Sequence, residues 1–229
     1  MKTILFLLLF FSSALNGQGQ DNDYIADSIL NEDVKVPRTI AVLPFRVEAQ
    51  LRPKAERKTP PAQKALMEYS LGHNVQAAVI KIFGNKQEKK SALFSIQDSS
   101  LTNELLNRAG ITQYNYTAYT PKELGELLQV DAVISGNLKT WKPIGSGWAY
   151  LLNTTDVLCD DDDDDIVKFF SSDKVPAIIG EIEIYLVNTK DEAVLWKYSG
   201  SQRVGGAYNY NDLIRKAIRK SVKTFPYFN

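Results

Sequence analysis

The chain has 229 residues, 44% of them hydrophobic, which suits one domain of ordinary size with an apolar core. Its 27 basic residues balance 27 acidic ones, so no net field favours a nucleic acid. The single cysteine, Cys159, excludes an internal disulfide and a cysteine zinc cage, and the single histidine, His73, excludes a histidine-cluster metal site.

Residues 1–19 have the pattern of a secretory signal peptide. Lys2 supplies a positive charge, residues 4–11 are uniformly apolar, and small residues follow. The apolar run is shorter than the ~20 residues of a membrane span, so we expect cleavage, after Gly19 or at an earlier small residue, rather than a retained anchor. Because no cysteine lies nearby, no lipid anchor is predicted, and the mature protein is expected to be exported without spanning a membrane.

The polar residues 20–37 predict a flexible leader before the folded domain. Residues 38–45 are an apolar run rich in β-branched side chains, which favours a strand buried on both faces. Pro44 cannot donate a ladder hydrogen bond and is expected to mark the end of this strand. The charged, proline-rich residues 47–61 are predicted to form a loop.

A long helix is predicted over residues 62–83, capped by Thr59 and ended by Gly84. Its predicted apolar face steps by three and four residues through Leu66, Tyr69, His73, Ala77, Ile80 and Phe83. Gly72 indicates a bend or a close contact in this helix. His73 is interpreted as a packed or partner-contacting side chain rather than a catalytic base, since no obvious nucleophile or second ligand accompanies it.

The middle of the chain predicts two strands and two helices. Residues 92–96 are typical of a short strand, and Asp98 begins a helix that ends at Gly110. Thr120 and Glu123 form a capping box at the start of the next helix, which leads into a strand over residues 130–138. Between the helices stand three tyrosines that indicate either a sugar-stacking surface or a loop covering the core: Tyr114, Tyr116 and Tyr119.

Residues 139–177 are predicted to be irregular. Three aromatic residues cluster at their start and are candidate partner contacts or a cover for one sheet face: Trp141, Trp148 and Tyr150. A second candidate partner-binding surface is the later loop that carries Tyr208 and Tyr210.

Six consecutive aspartates follow Cys159, namely Asp160, Asp161, Asp162, Asp163, Asp164 and Asp165. Carboxylates are preferred calcium ligands, so these residues are weak candidates for a calcium site. Their spacing lacks the alternation and glycine of an EF-hand loop, and consecutive like charges favour a solvated, extended loop. No cofactor is predicted.

Residues 181–199 alternate apolar and polar side chains around a polar turn, which predicts an antiparallel hairpin. Glu181 and Glu183 lie on one face of its first strand, as a solvent-facing row or as the carboxylate pair of a hydrolase. The last helix is predicted over residues 211–224. Its predicted buried stripe is Leu213, Ile214, Ala217, Ile218 and Val222.

Three segments carry a family resemblance: residues 40–45 (Ile-Ala-Val-Leu-Pro-Phe), residues 123–136 and the hairpin of residues 182–198. They resemble the bacterial envelope family that includes CsgG, LpoB and the amino-terminal domain of TolB. Gly125, Asp131 and Gly136 match the glycine, aspartate and glycine of the family's helix–strand junction. The chain departs from the family in lacking a lipidated cysteine and in an apparent acidic insertion near residues 141–177.

The resemblance implies an α/β (α+β) domain over residues 38–229, with a small mixed sheet packed by helices in the order β-α-β-α-α-β-β-β-α. It implies a non-enzymatic periplasmic or outer-membrane-associated domain of a Gram-negative bacterium. Such a domain binds envelope proteins in assembly, secretion or peptidoglycan synthesis, and a homo-oligomer is possible. Pore formation is not expected, because no pair of long alternating strands is present. The alternatives are a carbohydrate- or calcium-binding module and a cell-wall hydrolase.

Overall fold

A mixed β-sheet organises the chain in the computed structural model, which describes residues 22–26, 36–142, 178–205 and 209–228. The strands are β1 (Asn22–Ile25), β2 (Thr39–Val42), β3 (Arg46–Gln50), β4 (Ser95–Ile96), β5 (Ala132–Trp141), β6 (Ile178–Asn188) and β7 (Val194–Val204). They lie in the order β1-β7-β6-β5-β2-β4, and β3 also pairs with β5. The helices are α1 (Pro53–Glu56), α2 (Pro61–Lys90), α3 (Ser99–Arg108), α4 (Pro121–Leu128) and α5 (Tyr210–Ser221). The predicted mixed sheet packed by helices is confirmed.

The first strand, β2, ends at Val42, just before Pro44, but the chain pairs with β5 again as β3 from Arg46, which corrects the predicted loop over residues 47–61. Val42 pairs with Ile134, and Arg46 pairs with Asn137. Between these two pairs, the segment that joins β2 to β3 contains one residue more than β5. This extra residue is a β-bulge, and it lets the sheet tolerate a proline without a donor. The sequence signal for the missed strand was the alternation of polar and apolar residues over 46–50, which matches the exposed and buried side chains of β3.

β1 lies in the segment predicted to be a flexible leader. Asn22 pairs with Ser199 and Tyr24 with Lys197 in an antiparallel arrangement along the edge of β7. Three of the four β1 residues are exposed, so main-chain pairing and the packing of Ile25 and Ala26 hold the strand. Residues 1–21, with the predicted signal peptide, and residues 27–35 lie outside the described residues.

Helix α2 is longer than predicted and buries a different face, which shares only Phe83 with the predicted one. Its buried side chains step by four residues through Leu71, Val75, Val79 and Phe83. Leu66 and Tyr69, on the predicted face, are 65% and 40% exposed. The helix continues through Gly84 to a left-handed cap at Ser91, and Thr59 does not cap it, since its hydroxyl donates to the carbonyl of Ala55. Apolar residues on both sides of this helix made its buried face ambiguous in the sequence.

The sheet has one fully covered face and one half-covered face. Helices α2 and α5 pack on the first, over alternate residues of the long strands such as Ile134, Ile182 and Trp196. Helices α3 and α4 pack on the second face only near β2 and the start of β5, where Ala41 and Val133 join their core. The remainder of the second face is open, because no described helix crosses it.

Aromatic side chains close the covered face. Phe225, after α5, is fully buried and packs edge-on against Phe83 and Trp196, at ring-centroid distances of 4.9 and 5.2 Å. Phe228 and Phe94 belong to the same cluster, with centroids 5.5 Å apart. All five predicted stripe residues of α5 are buried against this core.

Several predicted caps and turns are confirmed. The Asp98 carboxylate accepts the backbone N–H groups of Ser100 and Leu101, and Gly110 adopts a φ of +69° after α3. Thr120 and Glu123 form the capping box of α4.

The predicted hairpin is β6 and β7, although both strands run several residues longer than the sequence pattern indicated. β4 is shorter than the predicted strand, and β5 extends to Trp141 into the segment predicted to be irregular.

The residues that carry the family resemblance act as structural contacts. A Cβ on Gly125 would overlap the side chain of Thr189, and a Cβ on Gly136 would overlap the carbonyl oxygen of Glu183. The Asp131 carboxylate accepts the backbone N–H groups of Arg38 and Thr39 at 2.9 and 3.0 Å. These positions therefore have structural roles at the contacts between strands and helices.

Candidate functional site

The open half of the sheet holds a cleft of about 610 Å³ lined by residues of β3, β5, β6 and β7. A volume of this size lies within the range of ligand sites in proteins. Successive residues of a strand point to opposite faces, so the register of the four strands determines which side chains meet in the cleft.

One row of side chains crosses the four strands at Arg46, Asn137, Glu183 and Ser199, which are register neighbours. Arg46 is exposed and the other three are half-buried. The row therefore presents a guanidinium, an amide, a carboxylate and a hydroxyl across the strands.

A second row runs beside it, two residues later along β3, β5 and β7 and two residues earlier along the antiparallel β6. Its members are Glu48, Lys139, Glu181 and Ser201. Lys139 Nζ lies 3.9 Å from a carboxylate oxygen of Glu48, and Glu181 is the β6 neighbour of Lys139. The two rows place opposite charges side by side, so the cleft has no single sign of charge.

Glu183 is the most constrained acid of the cleft. The Tyr185 hydroxyl donates a hydrogen bond to one carboxylate oxygen of Glu183 at 3.1 Å, and Lys197 Nζ lies 3.3 Å from the other oxygen. Burial raises the pKa of Glu183, but the hydrogen bonds from Tyr185, Lys197 and Asn137 outweigh it and hold the pKa below its ordinary value. Lys197 also lies over the Tyr185 ring, 5.1 Å from its centroid.

The arrangement is suited to binding through fixed charges and hydrogen bonds. A glycosidase needs one carboxyl group with a raised pKa as general acid, and Glu183 is shifted in the opposite direction. Ser199 and Ser201 could act as nucleophiles only with an adjacent base. The single histidine, His73, lies on α2 and is not among the residues that line the cleft.

The structure places two of the predicted partner-binding residues, on different faces of the sheet. Trp141 is half-buried and points to the same face of the sheet as Lys139, two residues before it, at the end of the cleft. Tyr210 begins α5 on the covered face, where Lys142 Nζ lies 4.7 Å from the Tyr210 ring centroid. Burial raises the pKa of the Tyr210 hydroxyl. The other predicted candidates lie outside the described residues: Trp148, Tyr150, Tyr208 and Asp160 to Asp165.

The three loop tyrosines have separate surroundings. Tyr116 is buried, its hydroxyl donates to the carbonyl oxygen of Gly136 at 3.2 Å, and burial raises its pKa. Tyr114 is 46% exposed and donates to the carbonyl of Ala65 at 3.3 Å. Tyr119 packs against the core of α3 and α4. The tyrosines thus cover the core, and only Tyr114 keeps a large exposed surface.

The sequence analysis missed the basic and polar side of the cleft. Arg46 and Glu48 belong to the strand that was predicted to be a loop, and Lys139 to a segment predicted to be irregular. The alternation of charged residues with Val47, Ala49 and Leu138 carried the signal. The convergence of these strands with β6 depends on long-range register that no local pattern contains.

The described residues hold no group of three or more His, Cys, Asp or Glu placed to bind a metal ion. None of the helices described is long and apolar enough to cross a membrane.

Comparison with known proteins gives structural similarity at low sequence identity. No family model and no curated protein matches the sequence. Similar solved structures include the PelC dodecamer from Paraburkholderia phytofirmans, with 10% identity, 90% of this chain and 98% of that chain covered, and a TM-score of 0.45. Lipoprotein GNA1162 from Neisseria meningitidis has 14% identity over 82% of this chain and 96% of that chain, with a TM-score of 0.44. The LpoB C-terminal domain from Salmonella enterica has 8% identity, coverages of 78% and 92%, and a TM-score of 0.32.

Proposed function

We propose that this chain is a non-enzymatic, exported domain that binds another protein of the bacterial envelope through the open half of its sheet. The observation that carries the proposal is the cleft, in which acidic and basic side chains of β3, β5 and β6 lie beside the serine hydroxyls of β7. The amino-terminal pattern of residues 1–19 and the sequence resemblance to the CsgG, LpoB and TolB family support the compartment. The proposed setting is envelope assembly, secretion or peptidoglycan synthesis.

The charge pattern favours a protein partner over a nucleic acid. Arg46, Lys139 and Lys197 are balanced by Glu48, Glu181 and Glu183 in and beside the cleft. A nucleic acid requires a surplus of positive charge along its phosphates. A protein surface with its own mixture of charges is complementary to such a cleft, and the fixed rows give it a defined register.

The proposal is tested by capturing partners from solubilised envelope with the chain that starts at Gln20. The cleft variant exchanges two charges, Arg46→Glu with Glu181→Lys, and keeps the net charge. The matched control makes the same exchange on the exposed side of α4, Lys122→Glu with Glu126→Lys. We expect one dominant protein to be retained by the wild type and the control and lost at least tenfold by the cleft variant.

Retention of the same protein by the cleft variant would reject the cleft as the contact surface. A parallel variant, Trp148→Ala with Tyr150→Ala, tests the predicted aromatic patch outside the described residues. If no envelope protein is enriched by any form of the chain, the interaction function itself is rejected. The carbohydrate- or calcium-binding module and the hydrolase then remain, and calcium-dependent melting and glycan binding separate them.

A further inference from the structure

Helix α5 presents a basic surface on the side of the molecule opposite to the cleft. Its buried stripe packs on the covered face of the sheet, so its other side points away from the sheet. From Arg215 to the end of the described chain, every exposed residue is basic, and we call these residues the α5 basic face: Arg215, Lys216, Arg219 and Lys223. The half-buried Lys220 adds a fifth positive charge to the same helix.

The charge of this face is only slightly neutralised within the protein. Arg215 pairs with Asp212, the acid of the α5 capping box. Lys216 Nζ donates to the carbonyl oxygen of Arg203 at 3.0 Å, and a neutral carbonyl leaves the lysine charge uncompensated. The other two members of the face have no carboxylate partner among the described residues.

The neighbouring helix extends the positive surface. The side chain of Asn74 on α2 donates to that of Asn211 at the start of α5 at 3.3 Å, which places this side of α2 beside α5. Lys81 follows Asn74 by seven residues, or about two helical turns, so it lies on the same side of α2, and it is exposed. Residues 213–229 contain no acid that would oppose these charges.

The α5 basic face is one end of a charge separation in a balanced chain. Residues 209–229 contain five basic residues and one acid, whereas the whole chain has 27 of each. The rest of the chain therefore carries the compensating surplus of acids. An anionic surface orients such a molecule, because it attracts the basic side and repels the remainder.

The chemistry of the face favours a lipid surface over a protein partner. The exposed large apolar residues of the described chain all lie outside residues 209–228. A protein interface has apolar or aromatic anchors at its centre and is depleted in lysine there. An anionic bilayer attracts clustered lysine and arginine through their summed charge and needs no such anchor.

We propose that the α5 basic face docks this domain on a bilayer surface that carries anionic lipid headgroups. The contact is electrostatic and peripheral, because the apolar side of α5 is already buried in the core. Since α5 and the cleft lie on opposite faces of the sheet, docking turns the cleft away from the membrane. This inference goes beyond the proposed function and does not depend on it.

Vesicle co-sedimentation tests the docking with the chain that starts at Gln20. The anionic vesicles contain phosphatidylglycerol and phosphatidylethanolamine, and phosphatidylcholine vesicles are the neutral control. We expect binding to the anionic vesicles alone, and loss of binding as salt is added, because salt screens exposed charges. No binding of the wild type to anionic vesicles, or equal binding to neutral ones, would overturn the proposal.

Two variants with the same change in net charge locate the contact. Arg219→Glu with Lys223→Glu reverses two charges of the face, and Lys122→Glu with Lys190→Glu reverses two exposed charges on α4 and the β6–β7 turn. We expect the first variant to bind anionic vesicles at least tenfold more weakly and the second to stay within about twofold of the wild type. Arg219→Lys with Lys223→Arg keeps both charges and should bind like the wild type. Equal losses in the two reversal variants would assign the binding to net charge and overturn the face.

Lysine footprinting on vesicles tests the orientation. An amine-reactive reagent and mass spectrometry report the accessibility of each lysine. We expect vesicle binding to protect Lys81 and Lys223 at least threefold and to leave Lys139, in the cleft, unchanged. Protection of Lys139 equal to that of Lys223 would contradict the proposed orientation.

Partner capture separates the lipid surface from an acidic protein. If Arg219→Glu with Lys223→Glu loses a captured envelope protein while the wild type ignores anionic vesicles, the face binds an acidic protein and the membrane proposal is wrong. The cleft variant, Arg46→Glu with Glu181→Lys, keeps the net charge and should bind vesicles like the wild type. Failure to capture a partner through the cleft therefore leaves the vesicle result standing, and failure on vesicles leaves the cleft proposal standing.

Discussion

Glu183 shows how the cleft fixes a charge. Its carboxylate accepts a hydrogen bond from Tyr185 and pairs with Lys197 on the neighbouring strand, and these contacts lower its pKa despite partial burial. Since the folded state binds the proton of Glu183 less readily than the unfolded chain, this acid stabilises the fold above its ordinary pKa of about 4.3. The contribution is lost as the pH falls through the lowered, folded value.

The pH dependence gives a prediction for Glu183→Gln. We expect the wild type to exceed the variant in unfolding free energy by up to about 1 kcal/mol at neutral pH, a small value because the ion pair is partly exposed. The difference should shrink as the pH falls below about 4, the range of ordinary carboxyl pKa values. Urea unfolding followed by circular dichroism from pH 3 to 7 measures it. A difference that grows on acidification would show instead that folding raises the pKa of Glu183.

We expect substitution by alanine to have opposite effects on stability at two glycines, Gly84 and Gly136. Gly84 lies inside α2 with open space around it, so Gly84→Ala should stabilise the protein by about 0.5–1 kcal/mol through helix propensity. At Gly136 a Cβ would overlap the Glu183 carbonyl oxygen on the neighbouring strand. Gly136→Ala should cost about 1–3 kcal/mol, the range for overpacked sites. Thermal unfolding of both variants gives the comparison, and shifts of equal sign would contradict the close approach of β5 and β6.

At the scale of elements, the cap of α4 predicts a measurable loss. Thr120 accepts the backbone N–H of Glu123, and the Glu123 carboxylate accepts the backbone N–H of Thr120. Thr120→Ala should lower the unfolding free energy by about 1 kcal/mol, because it leaves a helix donor without its side-chain partner. Thr120→Ser keeps the hydroxyl and serves as the control. Equal losses in chemical denaturation would assign the effect to the methyl group instead.

The elements also show what the sequence could predict. The caps at Asp98 and Thr120 and the buried stripe of α5 depend on neighbouring residues, and local patterns identified them. The face of α2 could not be assigned, because Leu66 and Leu71 are equally apolar and only the packed sheet selects one of them. Glu181 and Glu183 were found as a pair, but their meeting with Arg46 depends on how β3, β5 and β6 align.

At the scale of the whole molecule, β1 ties the amino-terminal region to the far edge of the sheet. We expect a chain starting at Val36 to fold with lower stability than one starting at Gln20, because it loses the pairing with β7 and the packing of Ile25 and Ala26. Hydrogen exchange should accelerate at the backbone N–H groups of Lys197 and Ser199, which face β1. The N–H groups between β5 and β6 should stay protected. Unchanged exchange at Lys197 would mean that β1 adds nothing to that edge.

The aromatic cluster around Phe225 has a consequence for the timing of folding. Residues 225–228 follow every strand and helix of the sheet and its layers, yet Phe225 fills the centre of the covered face. A ribosome or a translocation channel releases a chain progressively from its amino terminus. Throughout that passage the sheet lacks the rings that pack between Phe83 and Trp196, and the core closes only when these last aromatic residues emerge.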